Sequence, residues 1–406
     1  MTRRILIIAA AIIVILGIAV AVYFFFFASK PSELIIDTDP FGNTGAGNID
    51  GSGSLIEGQG AGTVVGPNFV RITEGPVALG VAAVDVMIPD VTGGVSTTSS
   101  STPLVPDVAV RFIDRASGNI YSYVTHARTL TRISNKTLPG IQEASWVPDG
   151  SLVYARFITS DSESGEHIAT YALPENGEGG YFIEQDLSQA TVVGSTGLFT
   201  LVTSTGGSVG TIAKADSTGA KTLFTSLISS LIVYPSTGTY FAHTKASSQT
   251  DGYGFQITNG SFNRVLGPLR GLSLLPSPSG KSLLYNYVSG GVTYLAVIDL
   301  ANRNATALPL ATLSEKCVWA SEVTVYCGVP TTLSGSAIPE DWYQGATTFS
   351  DRIWRIDMTA RVATLVIDPT QVAKTSIDAV ALTTDPKEDV LVFTDKRTGS
   401  LWLYDL

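Results

Sequence analysis

Residues 271–308 read GLSLLPSPSGKSLLYNYVSGGVTYLAVIDLANRNATAL. Four short apolar segments stand out in this stretch: Leu272–Leu275, Leu283–Val288, Thr293–Asp299 and Thr306–Leu308. Gly, Pro, Ser or Asn bounds each one, and these are the residues that end strands and make turns. Segments of this length joined by tight turns predict a four-stranded antiparallel meander. One meander cannot bury both of its faces, so the stretch needs neighbours of its own kind.

The chain supplies them. A small residue or proline, a turn glycine and a β-rich run recur as VPDGSLVYARF, GSTGLFTLV, PSTGTYFAHT and PSPSGKSLLYNY, with turn glycines at 150, 197, 238 and 280. Spacings of roughly 40–50 residues with four strands per unit are those of β-propeller blades. Seven units are expected: Val77–Ile133, Ile141–Glu184, Ala190–Phe224, Ser229–Leu266, Gly271–Leu308, Ser314–Ile367 and Asp378–Leu406. The first carries a Gly/Ser/Thr/Pro-rich insertion from Pro89 to Pro106, and the sixth a longer one from Pro330 to Ser350. The last unit lacks a fourth strand, while Phe69–Thr73 is a strand to spare ahead of the first. Pairing that strand with Leu401–Leu406 closes the ring and removes the open edge.

Composition agrees with an all-β domain. The 406 residues are 44% hydrophobic but only 15% charged, with 40 glycines. Soluble domains usually carry about 25% charged residues. Helix is expected to be scarce beyond the N-terminus. The net charge of −10 repels phosphate backbones, and no Lys/Arg cluster with interleaved aromatics is present, so nucleic acid is not an expected partner.

The N-terminus predicts a different environment. Residues 1–4 are Met-Thr-Arg-Arg, and residues 5–27 form an uncharged apolar run ending in Tyr-Phe-Phe-Phe-Phe. That run is long enough to span a bilayer as a helix. Arginines on one side and aromatics on the other predict an uncleaved single-pass anchor, with the N-terminus cytoplasmic and the remainder extracytoplasmic, in the manner of a bacterial envelope protein. A cleaved signal peptide would have a shorter apolar core and small residues before the cut, which Phe26-Phe27-Ala28 does not offer. Residues 28–68 are rich in Gly, Ser, Thr and Asn and read as a flexible linker, leaving 69–406 as the propeller. Asp37, Asp39, Asn43, Asn48 and Asp50 are spaced faintly like a calcium loop, but the Asp-x-Asp-x-Asp-Gly pattern with a distal Glu is absent, and no metal is expected.

The phrases SWVPDGSLVYARF and PSPSGKSLLYNY, followed by strands such as LAVIDL, IWRIDM and LWLYDL, resemble the TolB-like or WD40-like propeller repeat. That repeat has a Ser-Pro-Asp-Gly turn, a β-rich strand and a later strand ending in Asp. The resemblance covers the chain from Phe69 onward. Ser279 and Thr237 replace the turn Asp, and the seventh unit reads DPKEDVLVF without Gly. It implies a propeller and no particular activity. Periplasmic TolB-type proteins have a cleaved signal and a separate N-terminal domain, so their transport role is not implied.

Few residues carry chemistry. His126, His167 and His243 fall in different units without metal-ligand spacing, and surface or strand roles are expected for them. No Gly-x-Ser-x-Gly elbow, phosphate-cradling loop or other cofactor motif occurs, so no cofactor is expected. Glu340-Asp341, and Asp385 with Glu388-Asp389, are the nearest approach to the paired acids of a glycosidase. Pro339–Gly345 reads PEDWYQG, two acids beside two aromatics within an insertion. Glu340, Asp341, Trp342 and Tyr343 are therefore the candidate binding residues, either as a contact surface or as a cover for the apolar edge of the sixth unit. Cys317 and Cys327 flank VWASEVTVY, which folds as a hairpin around Ser321–Glu322 and places them opposite one another, either as a disulfide or as two buried thiols. The expected function is a membrane-tethered module that binds a protein or glycan without catalysis. The alternative is an anchored hydrolase or lyase with its site at the mouth of the ring. Convergent acids, His or Arg at that mouth would favour the enzyme.

Overall fold

The computed structural model describes residues 57–90, 103–161, 165–183, 186–236, 238–333 and 337–406. The expected anchor at 5–27, most of the linker at 28–68, the Asp37–Asp50 cluster and the middle of the insertion 89–106 lie outside the described residues. Among the described residues no helix is long and apolar enough to cross a membrane. Helix there amounts to Glu340–Tyr343, Pro369–Val372 and a 3-10 turn at Ser314–Lys316.

The stretch 271–308 folds as its pattern dictates. Ser282–Ser289 pairs antiparallel with Val292–Asp299 across Gly290 and Gly291, both at positive φ, the two-residue turn whose twist matches that of its strands. Asn304–Ala307 completes the meander. Alternation along Ser282–Ser289 sends Leu283 and Tyr285 to a core shared with Phe241, Leu266 and Leu274 of the preceding strands. Leu284 faces the opposite core, among Leu308, Cys317, Val325 and Ile356. Both faces of this meander are thus buried against neighbours, which is why its central strand reads as an unbroken apolar run.

The same arrangement repeats. Ile113, Ile120, Ile141 and Val153 pack between the first and second sheets, and Tyr154, Leu187 and Leu198 between the second and third. Phe199, Phe224, Val233 and Ala242 fill the next interval, and Tyr326, Ile353, Leu391 and Phe393 the last. Hydrogen bonding groups the strands into six sheets among the described residues, one of them seven-stranded. That sheet is continuous because Ser261–Pro276 pairs first with Asp251–Thr258 and then with Ser282–Ser289, its register slipping between Arg270 and Ser273. Gly271 sits at the slip with φ of +62°, where an added Cβ would meet Val288 Cγ2 at 2.6 Å.

The ends meet as the sequence predicts. Phe69–Arg71 pairs with Leu401–Asp405 through Trp402↔Arg71, Leu403↔Val70 and Tyr404↔Phe69. Val77 N donates to Gly399 O, and Lys387 reaches Asp85, so the last sheet also touches the first. One boundary differs from expectation. Gly58–Gln59 pairs with Thr129–Arg132, and Thr63–Gly66 pairs with Phe69–Arg71. Composition hid these strands because an outermost strand needs backbone hydrogen bonds rather than apolar side chains. Ala61 N donates to Arg128 O, and Arg128 Nη2 to Gly62 O at 2.8 Å.

Candidate functional site

The first strands of consecutive sheets contact one another, so they line the axis. In each antiparallel unit the chain enters the first strand and turns from second to third strand on one common face. On that face the insertion after Thr324–Pro330 folds back and is fixed at three places. Glu340 Oε1 accepts from Ser247 Oγ and Ser248 N, both at 2.7 Å, across to the loop after Thr239–Thr244. Burial raises the Glu340 carboxyl, but the Ser247 and Ser248 donors outweigh it and hold it below the usual range. Trp342 Nε1 donates to Asp378 at 3.0 Å, and the Tyr343 hydroxyl donates to Glu315. Asp341 Oδ2 accepts Ala337 N and closes the short helix on itself.

The four candidate residues are therefore brought together, with Trp342 buried and Glu340, Asp341 and Tyr343 half-buried. Trp342 is only 5% exposed and packs with Leu313, Ile338, Phe349 and Val380. Trp342 on Asp378 and Tyr343 on Glu315 seat the insertion as a cover over this end of the sixth unit. The cover reaches past the sixth unit, touching loops of the fourth and seventh as well.

Beneath Trp342 lies a charged cluster that the sequence reading missed. Lys316 Nζ, fully buried, lies 2.8 Å from Asp351 Oδ2, also pairs with Asp378, and donates to Ala379 O. Its ammonium sits 5.1 Å from the centre of the Trp342 ring and 5.4 Å from that of Phe349. Ala379 N donates to Asp351 and Phe349 N to Asp378, so backbone amides share both carboxylates. Burial pushes Asp351 up to about 6 despite Lys316. Lys396 also stands 4.2 Å from the centre of the indole and donates to Trp342 O. Burial lowers its ammonium. The signal available in sequence was slight: Lys316, Asp351 and Asp378 each stand at the leading end of an apolar strand in a chain poor in charge.

Glu315 is raised mainly by burial, against the bonds from Tyr343 and Ser273 and the charge of Lys396, while Tyr343 is raised by burial and by Glu315. The histidines do not converge. His126 is exposed and 2.9 Å from Asp107, and His167 lies on a distant hairpin. His243 is wholly buried, stacks on Tyr234 and bonds through Nδ1 to Thr244 O, and burial drives it down to about 4. Asp385 is spent on Lys387 N and Val390 N and so builds a turn. Among the described residues no group of three or more His, Cys, Asp or Glu is placed to hold a metal. Cys317 stands opposite Cys327 in register, with Cα atoms 4.1 Å and sulfurs 2.11 Å apart, a disulfide beside the Lys316 cluster.

The insertion also walls a groove of about 590 Å³. Leu333, Ile338, Ser248, Gln249, Arg270 and Thr293 are among the residues that line it.

Comparison with solved structures fits this architecture. The oligogalacturonate lyase of Vibrio parahaemolyticus superposes with a TM-score of 0.50 at 7% identity, over 82% of this chain and 98% of that one. The fold is a β-propeller. The propeller domain of the Trilobed protease from Pyrococcus furiosus matches at a TM-score of 0.48 and 10% identity, over 74% of this chain and 90% of that one. TolB from Acinetobacter baumannii matches at 0.42 and 12%, over 63% of this propeller chain and 62% of its own. No family model matches the chain, and no curated protein does. At these identities the likeness extends to the fold alone.

Proposed function

We propose that this chain is a binding and scaffolding module of the cell envelope, holding a protein or glycan partner in the groove beside the insertion. With the seven-stranded sheet divided at Gly271, we count seven blades, two of them widened by a fifth strand. The apolar run 5–27 anchors it in the membrane, with residues 1–4 cytoplasmic and the propeller outside. The observation that carries the binding reading is the groove itself. Ile338, on its wall, lies two residues from Glu340, which ties the insertion to a neighbouring loop, so little ordering remains to be done when a partner arrives. Its lining mixes apolar side chains with Gln249, Arg270 and Thr293, which suits a peptide or sugar chain.

The test is proximity labelling on intact cells with wild type and an Arg270→Glu, Gln249→Ala variant. Both positions are exposed, so melting should not change. Specific loss of neighbours in the variant supports the reading, and an unchanged set removes it. Deleting residues 1–28 should release the protein from washed membranes.

A second reading, an anchored hydrolase or lyase, draws on Glu315 and Tyr343. They form a half-buried acid–hydroxyl pair beside Lys396 on the same face. Turnover of an envelope glycan that is abolished by Glu315→Gln would favour it.

A further inference from the structure

Two turns on adjacent sheets share a pattern: Asp114-Arg115-Ala116-Ser117-Gly118 and Asp395-Lys396-Arg397-Thr398-Gly399. In each, the aspartate braces the turn and the glycine closes it. Asp114 Oδ2 accepts Ser117 N at 2.8 Å and Ser117 Oγ at 2.6 Å, and Gly118 N donates to Asp114 O at 2.7 Å. Asp395 Oδ2 accepts Thr398 Oγ1 at 3.0 Å, and Gly399 N donates to Asp395 O at 2.7 Å. Both glycines have positive φ, and an added Cβ would collide with the Leu138 carbonyl at Gly118 and with Pro76 at Gly399. Such turns hold their basic side chains in place before any ligand arrives.

We propose that the groove between these turns, about 510 Å³, binds an acidic peptide segment through Arg115 and Arg397. Asp114 makes no ion pair with Arg115, and Asp395 pairs with Arg397 through Nε alone, near the long end of hydrogen-bond range. Asp395 is already engaged by Asp378 N, Arg397 N and Thr398, and reaches Arg397 Nε only at 3.5 Å. Arg115 donates to the amide oxygen of Gln142, a neutral partner fixed by its own bond to Gly140 O. Among the described residues no carboxylate lies within ion-pair distance of Arg115, and Glu143, at the groove's edge, is held by Arg156. Lys396 lines the groove too, with its ammonium turned to Trp342.

The occupant's chemistry follows from what the groove leaves free. Leu79 N and O are bonded to Gln142 O and Ala144 N, so recognition falls to side chains. Guanidinium groups match carboxylates bidentately. Pro76 and Leu79, the latter 42% exposed, offer an apolar surface between them. Acidic side chains flanked by apolar ones satisfy both features, whereas a polyuronate carries no apolar side chains. The chain's charge of −10 repels anions elsewhere, so an acidic ligand that does bind is held locally.

The experiment is fluorescence anisotropy on the full chain in detergent, with a labelled peptide alternating Glu and Leu. Saturable binding that weakens at least tenfold in Arg115→Gln, Arg397→Gln, and in Arg397→Gln alone to a lesser degree, supports the proposal. Its Gln/Leu counterpart should not bind. The proposal is overturned if the peptide does not saturate, if the double variant binds unchanged, or if Lys221→Gln on a distant edge weakens binding equally. Binding of polygalacturonate in place of the peptide overturns it as well. Arg270 does not touch this groove, so the two sites fail or stand separately.

Discussion

Lys316 places its ammonium 2.8 Å from the Asp351 carboxylate with no part of either side chain exposed, and Asp378 completes the pairing. Removing one member of a buried ion pair leaves an uncompensated charge and costs about 3–5 kcal/mol. Lys316→Met should fall in that range, because two carboxylates lose their shared cation at once. Denaturant unfolding measures it. A loss below about 1 kcal/mol would show that water reaches the cluster. Trp342→Ala should cost about as much through its buried ring.

Opposing titrations make pH a second probe. Asp351 is raised from 3.8 to about 6 by burial, so its contribution is present below pH 4 and is lost as pH climbs to 6. His243 is depressed from 6.5 to about 4, so its contribution is present above pH 6.5 and is lost as pH falls to 4. Between pH 4 and 6 the two slopes, each at most about 1.4 kcal/mol per pH unit, largely cancel. Asp351→Asn should therefore unmask stability that rises with pH, and His243→Phe stability that falls. Parallel slopes in the two variants would refute the assignment.

The spacing of Gly150, Gly197, Gly238 and Gly280 exposed the repeat, and the leftover strands at each end exposed the clasp, because both depend on local turn chemistry and strand periodicity. The charged cluster was not legible in the same way. Lys316, Asp351 and Asp378 are brought together by sheet-to-sheet packing, and nothing in their local sequence marks them as partners. The inward turn of Trp342 was half legible: an insertion needs an anchor, but only the fold shows that Asp378 supplies it. Gly58–Gln59 escaped notice because edge pairing leaves no apolar alternation.

Closure of the ring rests on a small contact. Phe69 is fully buried, with its ring centre 5.0 Å from that of Trp402 and 6.2 Å from that of Phe393. Phe69→Ala should cost about 3–5 kcal/mol. Deleting residues 57–73 removes the strand itself and exposes the edge of Leu401–Asp405. Aggregation of that truncated chain is expected by light scattering, while Phe69→Ala should remain soluble but melt earlier. A truncated chain that stays monomeric with unchanged melting would show that the ring closes without its clasp.

The disulfide links strands already paired, across a separation of 10 residues. Cross-linking so short a loop restricts the unfolded chain modestly, by about 2–3 kcal/mol in the loop-entropy account. Cys317 and Cys327 are both buried, so in the folded protein they should resist alkylation even under mild reductant. The double replacement Cys317→Ala, Cys327→Ala should lower stability by that amount and leave the β signature in circular dichroism intact, since Val318↔Tyr326 and Trp319↔Val325 persist without the bond. Rapid labelling of both thiols in the native chain without reductant would show that the bond is not formed.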